Sequence, residues 1–119
     1  MRKCWLLLFV LILPMSNVWA ADVAHGKLIF DKVCAYCHGV DGKGVIGPSL
    51  IGVGERRDTA WLNLWLKNPR EMIRNNADAK VVRSNNKYNM TMPAIPAMKD
   101  DEKRADVIAY LLQAFTTAP

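Results

Sequence analysis

The sequence predicts an all-α domain, and three observations carry that prediction. Apolar residues recur among polar ones at helical spacing in 21–33 and again in 100–112. No run of alternating apolar and polar residues is long enough for a strand. Between the helical stretches glycine and proline crowd together, with Gly39, Gly42, Gly44, Gly47, Pro48, Gly52 and Gly54 forming one segment that must loop.

The first twenty residues stand apart from this domain. Met1-Arg2-Lys3 is a short basic start, Trp5 to Leu13 is an unbroken apolar run, and Val18-Trp19-Ala20 places small residues three back and one back from a cut before Ala21. That is the three-part form of a secretory signal. As a membrane anchor the run falls short of the roughly 20 apolar residues that span a bilayer. Residues 1–20 are therefore expected to be a cleaved signal peptide and residues 21–119 the domain, exported and, in a bacterium, periplasmic. Cleavage removes Cys4 and leaves Cys34 and Cys37 in an oxidising compartment, where a disulfide is the ordinary use of cysteine. A bridge across two intervening residues closes almost no loop and stabilises little.

The 119 residues carry 16 basic and 11 acidic side chains, a net charge of +5. The basic residues are scattered rather than gathered into a stripe, which argues against nucleic acid as a partner and permits an acidic protein partner. A chain of this size buries only a modest core, and a large apolar cofactor at its centre would enlarge it.

In chain order, Ala21 to Val33 reads as an amphipathic helix running into the cysteines, with Val23, Leu28, Ile29, Phe30 and Val33 apolar. Gly26 and Phe30 share a face. Glycine there costs helix stability, which implies another element crossing close by. After the glycine-rich loop, Asp58 or Thr59 caps a helix from Ala60 to Lys67, and Asn68-Pro69 stops it. Within 70–91, interrupted by asparagines, the expectation is a short helix near Asp78 to Ser84. Met92-Pro93-Ala94-Ile95-Pro96 is extended or turning, because proline restricts itself and its predecessor. The last helix starts at Asp100 and Asp101, which offer an N-cap and favourable charge. Its expected apolar stripe is Ala105, Ile108, Ala109 and Leu112, widened by Val107, Tyr110 and Leu111.

The chemistry concentrates in Cys34-Ala35-Tyr36-Cys37-His38. On a helix, positions 34, 37 and 38 project from one face. Zinc wants four ligands in a tetrahedron, and besides these three only the distant His25 is available. A redox dithiol wants the start of a helix, where the positive end lowers a thiol pKa, whereas here a helix leads into the motif. The remaining use engages all three side chains: each thiol adds across a vinyl group of a haem and the histidine binds its iron, the Cys-x-x-Cys-His attachment signal.

With that motif and a secretory signal in front of it, the chain resembles a class I c-type cytochrome. The resemblance covers residues 22–115 and implies a small all-α fold of three to five helices wrapped around one covalently bound haem c, attached through Cys34 and Cys37. It implies a one-electron carrier rather than an independent enzyme, exchanging electrons with redox proteins, without stable membrane insertion after cleavage. The alternatives are a haem c subunit of a dehydrogenase or oxidase complex, and a haem catalyst or sensor with an open sixth position on the iron.

Candidates for that sixth position are Met72, Met90, Met92, Met98 and His25. His25 lies thirteen positions before His38, about 1300° along a continuous helix, or about 220° after whole turns, and so faces away from the haem side as an exposed histidine. A methionine alone is more often core packing. Met92 has context, because Pro93 lets the segment lie extended, and in the family the sixth ligand commonly opens a Met-Pro-Ala-like stretch before a capped helix ending in Tyr-Leu. Met92 is the favoured ligand, Met90 its competitor, and Met98 a plug at the start of the last helix. His/Met ligation raises the reduction potential.

Further roles follow from the resemblance. Gly47-Pro48-Ser49-Leu50 is similar to the family's Gly-Pro-x-Leu turn, in which the Pro48 carbonyl accepts a hydrogen bond from His38. Arg56 or Arg57 pairs with a haem propionate, or both are solvated. Trp65 donates its indole N–H to a propionate, or stacks with Trp61 in the core. Gly26, Phe30 and Tyr110 resemble the contact where first and last helices cross. The haem edge falls near Cys37, Val45, Ile46 and Met92 to Ile95, with Lys32, Lys43 and Lys99 placed to steer an acidic partner. The stretch from Met72 to Asn89 departs from the most compact bacterial members in length and asparagine content, resembling a subset with an added helix.

Overall fold

The computed structural model describes residues 19–117. Most of the expected signal peptide, with Cys4, lies outside the described residues. Among those described there is no strand and no helix long and apolar enough to cross a membrane. The all-α expectation holds.

The first rod is continuous from Val23 to His38 but not uniform. It begins as α1 (Val23–Ile29), capped by the Asp22 carboxylate, which accepts the His25 N–H at 3.0 Å. It passes through a π-helical turn, Phe30–Cys34, and resumes as α2 (Ala35–His38), ending at Gly39 with φ +77°. A π turn holds one extra residue, so it rotates everything beyond it, including Cys37 and His38, relative to the phase of one straight α-helix.

The glycine-rich loop contains the single-turn α3 (Val53–Arg56) and leads to α4 (Thr59–Lys67). Asp58, the expected cap, accepts the Trp61 N–H at 2.7 Å. Asn68-Pro69 does stop α4, but it also starts another helix, α5 (Pro69–Asn75), which the sequence reading missed. Asn68 accepts the Glu71 N–H, and Pro69 sits at the first helical position, where its missing N–H costs nothing. Asn76 repeats the device between α5 and α6 (Ala77–Ser84), accepting the Ala79 N–H at 3.0 Å. An extended stretch then runs into a 3-10 turn, Pro96–Lys99, and Asp100 caps α7 (Asp101–Ala114).

The first and last helices cross where Gly26 was expected to need room. A Cβ on Gly26 would lie 2.0 Å from the Asp106 carbonyl oxygen. Phe30, fully buried, packs in a three-ring cluster with Tyr110 and Phe115 at ring centroid distances of 5.3 and 5.2 Å. Burying one such ring contributes about 1.5–3 kcal/mol.

The buried face of α7 differs from the expected stripe. Arg104, Asp106, Val107, Ile108, Tyr110 and Leu111 are buried, while Ala105 is exposed and Ala109 and Leu112 are half-buried. Two charges displace the stripe because both are satisfied. Arg104 reaches Asn63 Oδ1 and the Met98 carbonyl, each at 2.7 Å, and Asp101. Asp106 accepts the Asp22 N–H at 2.6 Å and pairs with His25 Nδ1 at 2.7 Å. Met98 is fully buried beneath this cluster, as expected of a plug.

Candidate functional site

A cavity of about 520 Å³ opens between the end of the first rod, the glycine-rich loop, α4 and the segment after α6. It falls within the ~300–1,000 Å³ typical of small-molecule and cofactor pockets. Cys34, Cys37, His38, Pro48, Arg56, Arg57, Trp65 and Met92 all line it.

His38 is buried at the end of α2, and its Nδ1 is 2.8 Å from the Pro48 carbonyl. A carbonyl only accepts, so Nδ1 carries the hydrogen and Nε2 keeps its lone pair. Burial holds the imidazole below its ordinary pKa, against the opposing pull of that carbonyl. The ring is therefore a neutral donor of fixed tautomer, the state a metal ligand requires. The loop is fastened to the motif by one oxygen: the Cys37 carbonyl accepts the N–H groups of Val45, Ile46 and Gly47 at 3.0, 3.1 and 2.8 Å. Gly47 lies flat against the imidazole, where a Cβ would stand 2.8 Å from His38 Cε1.

Both thiols are free and half-buried. Burial, and secondarily the neighbouring Cys37, pushes the Cys34 thiol up to about 11. A redox-active or metal-binding thiolate needs the opposite shift. Among the described residues no three His, Cys, Asp or Glu side chains converge to hold a metal ion.

The methionines separate. Met72 is buried in α5 and Met98 beneath α7, and neither lines the cavity. Met90 and Met92 both do. Met90 is half exposed, whereas the Met92 sulfur accepts the Trp65 indole N–H at 3.1 Å. His25 does not line the cavity; its ring is engaged by Asp106 rather than simply exposed.

The two indoles stack as expected, and their N–H groups differ. Trp65 donates its N–H to the Met92 sulfur. Trp61, stacked on Trp65 at 5.1 Å and 14°, has a buried Nε1 without a hydrogen-bond partner among the described residues, and it too lines the cavity. Arg57 lays its guanidinium over the Trp61 ring at 4.8 Å. Arg56 donates to the carbonyls of Ile51 and Ser49. Neither arginine is in an ion pair among the described residues. An orphaned buried donor beside two uncompensated cations fits a group bearing carboxylates. The thiol pair, the neutral imidazole and this cationic corner together fit haem c. Sequence reasoning had Trp61 only as packing; the i, i+4 spacing signals the stack but cannot say which N–H the fold uses.

The family model described as Cytochrome c matches residues 23–115. Over 36 residues the chain is 53% identical to a cytochrome c-553-like protein of Synechocystis sp., covering 30% of this chain and 34% of that one. Over 45 residues it is 51% identical to cytochrome c6 of Cyanidioschyzon merolae, covering 36% of this chain and 42% of that one. The matches thus span less than half of these relatives' own length. Among solved structures, an engineered cytochrome c from Rhodothermus marinus, bound to a carbene intermediate, aligns with a TM-score of 0.64 and 27% identity, covering 77% of this chain and 75% of that one.

Proposed function

Since this chain belongs to the cytochrome c family, we propose that it is an exported one-electron carrier whose single haem iron is held by His38 and Met92. Haem c, attached in this family through the Cys-x-x-Cys-His motif, supplies a one-electron couple at its iron. The chain's own residues bind, orient and tune it. Cys34 and Cys37 form the thioethers. His38 ligates through Nε2 while Pro48 fixes its ring. Arg56, Arg57 and the Trp61 N–H receive the propionates. Trp65 holds the Met92 sulfur in place.

The observation that carries the ligand assignment is the Trp65 Nε1 to Met92 Sδ contact at 3.1 Å. A thioether on a cavity-lining residue, already held by an indole N–H, loses little freedom on becoming a ligand. Redox proteins are the partners this reading implies, and an oxidising compartment suits the family's exported members.

The test is the optical spectrum of the mature protein made in cells able to attach haem. Ferric protein should show the weak near-infrared band of a thioether ligand. Met92→Ala should abolish it and Met90→Ala should keep it. A band that survives Met92→Ala removes the assignment, and ready binding of carbon monoxide by ferrous wild type favours an open sixth position.

A further inference from the structure

Asn86 has a role that neither the motif nor the ligand assignment uses. Of residues 84–90 it alone is not exposed. All its hydrogen-bonding groups are engaged. Its N–H donates to the Arg83 carbonyl at 3.3 Å, and its carbonyl accepts the Asn89 N–H at 2.9 Å. Its Oδ1 accepts the N–H groups of Tyr88 and Met90, at 2.9 and 3.3 Å. Its Nδ2 donates to the Ile46 carbonyl at 3.4 Å. Two backbone donors converging on one side-chain atom require it to be the oxygen, so the NH2 group faces Ile46.

The partners matter more than their number. Ile46 immediately precedes Gly47-Pro48, whose carbonyl orients His38. Met90 lies two positions before Met92. One side chain therefore ties the loop that sets the imidazole to the segment that carries the thioether. Ile46 and Asn86 also line a smaller cavity of about 240 Å³ as well as the main one, so their bond lies in a shared wall. That bond is the longest of the five and the weakest, so the wall opens there first.

We propose that Asn86 is a clasp, a positioning residue that holds the Met90–Met92 segment over the cavity against the His38 loop and sets how readily an external ligand reaches the iron. This rests on the His38/Met92 reading. It is tested on the full-length haem-loaded protein by three measurements: the ferric near-infrared band, the rate of imidazole binding to ferric iron, and amide hydrogen exchange.

Asn86→Ala should keep the band, bind imidazole about fivefold faster, as expected for loss of about one net hydrogen bond across the wall, and exchange the Tyr88 and Met90 amides faster. Asn86→Asp retains the acceptor and loses the donor. It should bind imidazole faster while those two amides exchange as in wild type, a split that general destabilisation does not produce. Imidazole rates in both variants within twofold of wild type overturn the clasp, as does exchange that accelerates equally along α1 and α7. If Asn86→Ala yields no coloured protein, Asn86→Asp decides alone. Failure of the ligand reading shows first in wild type, as a missing band, and takes the clasp with it. Failure of the clasp alone leaves the wild-type spectrum intact.

Discussion

Trp61 and Trp65 are the same residue type four positions apart, and their difference shows what a single hydrogen bond assigns. The Trp65 N–H ends on the Met92 sulfur; the Trp61 N–H has no partner among the described residues. If Met92 ligates the iron as proposed, an N–H pointing at its thioether withdraws electron density from it and makes it a poorer donor to ferric iron. Removing it with Trp65→Phe should lower the reduction potential. One such bond is worth about 1 kcal/mol, or ~40 mV for a one-electron couple. Potentiometric titration checks this, and an unchanged or raised potential contradicts it. At this scale the sequence was readable where chemistry forces spacing. Cys34, Cys37 and His38 must share a helix face to serve one group, and all three line the cavity, as do Met92, which Pro93 singles out, and its competitor Met90. It was unreadable where only three-dimensional contact decides, as with Trp61 and with Asn86, whose side-chain bond to Ile46 spans forty positions.

Between elements, the junctions carry the fold's precision. The crossing of α1 and α7 depends on Gly26, because an added methyl would meet the Asp106 backbone oxygen at 2.0 Å and backbone cannot swing aside. The helices must then separate, which also strains the Asp106 bonds to the Asp22 amide and the His25 ring. Gly26→Ala should destabilise the protein by about 3 kcal/mol or more, beyond the usual cost of overpacking, read as a lower urea midpoint. A shift smaller than the gain Ala normally brings to a helix interior would mean that the crossing is looser than it stands here. The glycine in an otherwise amphipathic pattern made this crossing legible, as did the paired aspartates at the start of α7. The corner at Asn68-Pro69 was half legible: asparagine and proline end one helix and begin the next by the same chemistry, and local sequence does not say which act follows. The buried face of α7 was misplaced because Arg104 and Asp106 look like surface residues until their partners, up to 84 positions away, are known.

Across the whole molecule, charge and exposed apolar surface set how it meets a partner. Without Arg2 and Lys3 of the expected signal peptide the net charge falls from +5 to +3 and has no dense stripe, yet its arrangement around the cavity is not neutral. Tyr36, Val40 and Val45 expose 80%, 73% and 56% of their surface beside the motif, and the Cys37 carbonyl binds the Val45 N–H, bringing that apolar loop against the attachment site. Lys32 and Lys43 are exposed in the same stretch, and among the described residues Lys43 is compensated only by Asp41 at 3.6 Å across largely exposed side chains. An exposed pair of that kind is worth little, so the lysine's field remains available to steer an encounter. With an acidic redox partner, the bimolecular transfer rate should fall as ionic strength rises from about 0.01 to 0.15 M, as the Debye length shrinks from roughly 30 to 8 Å. Lys43→Glu should slow transfer several-fold at the low end and converge with wild type at the high end, because steering acts on the encounter and not on the electron transfer that follows. A flat salt response in wild type, or a Lys43→Glu deficit that persists at high salt, would place the docking face elsewhere.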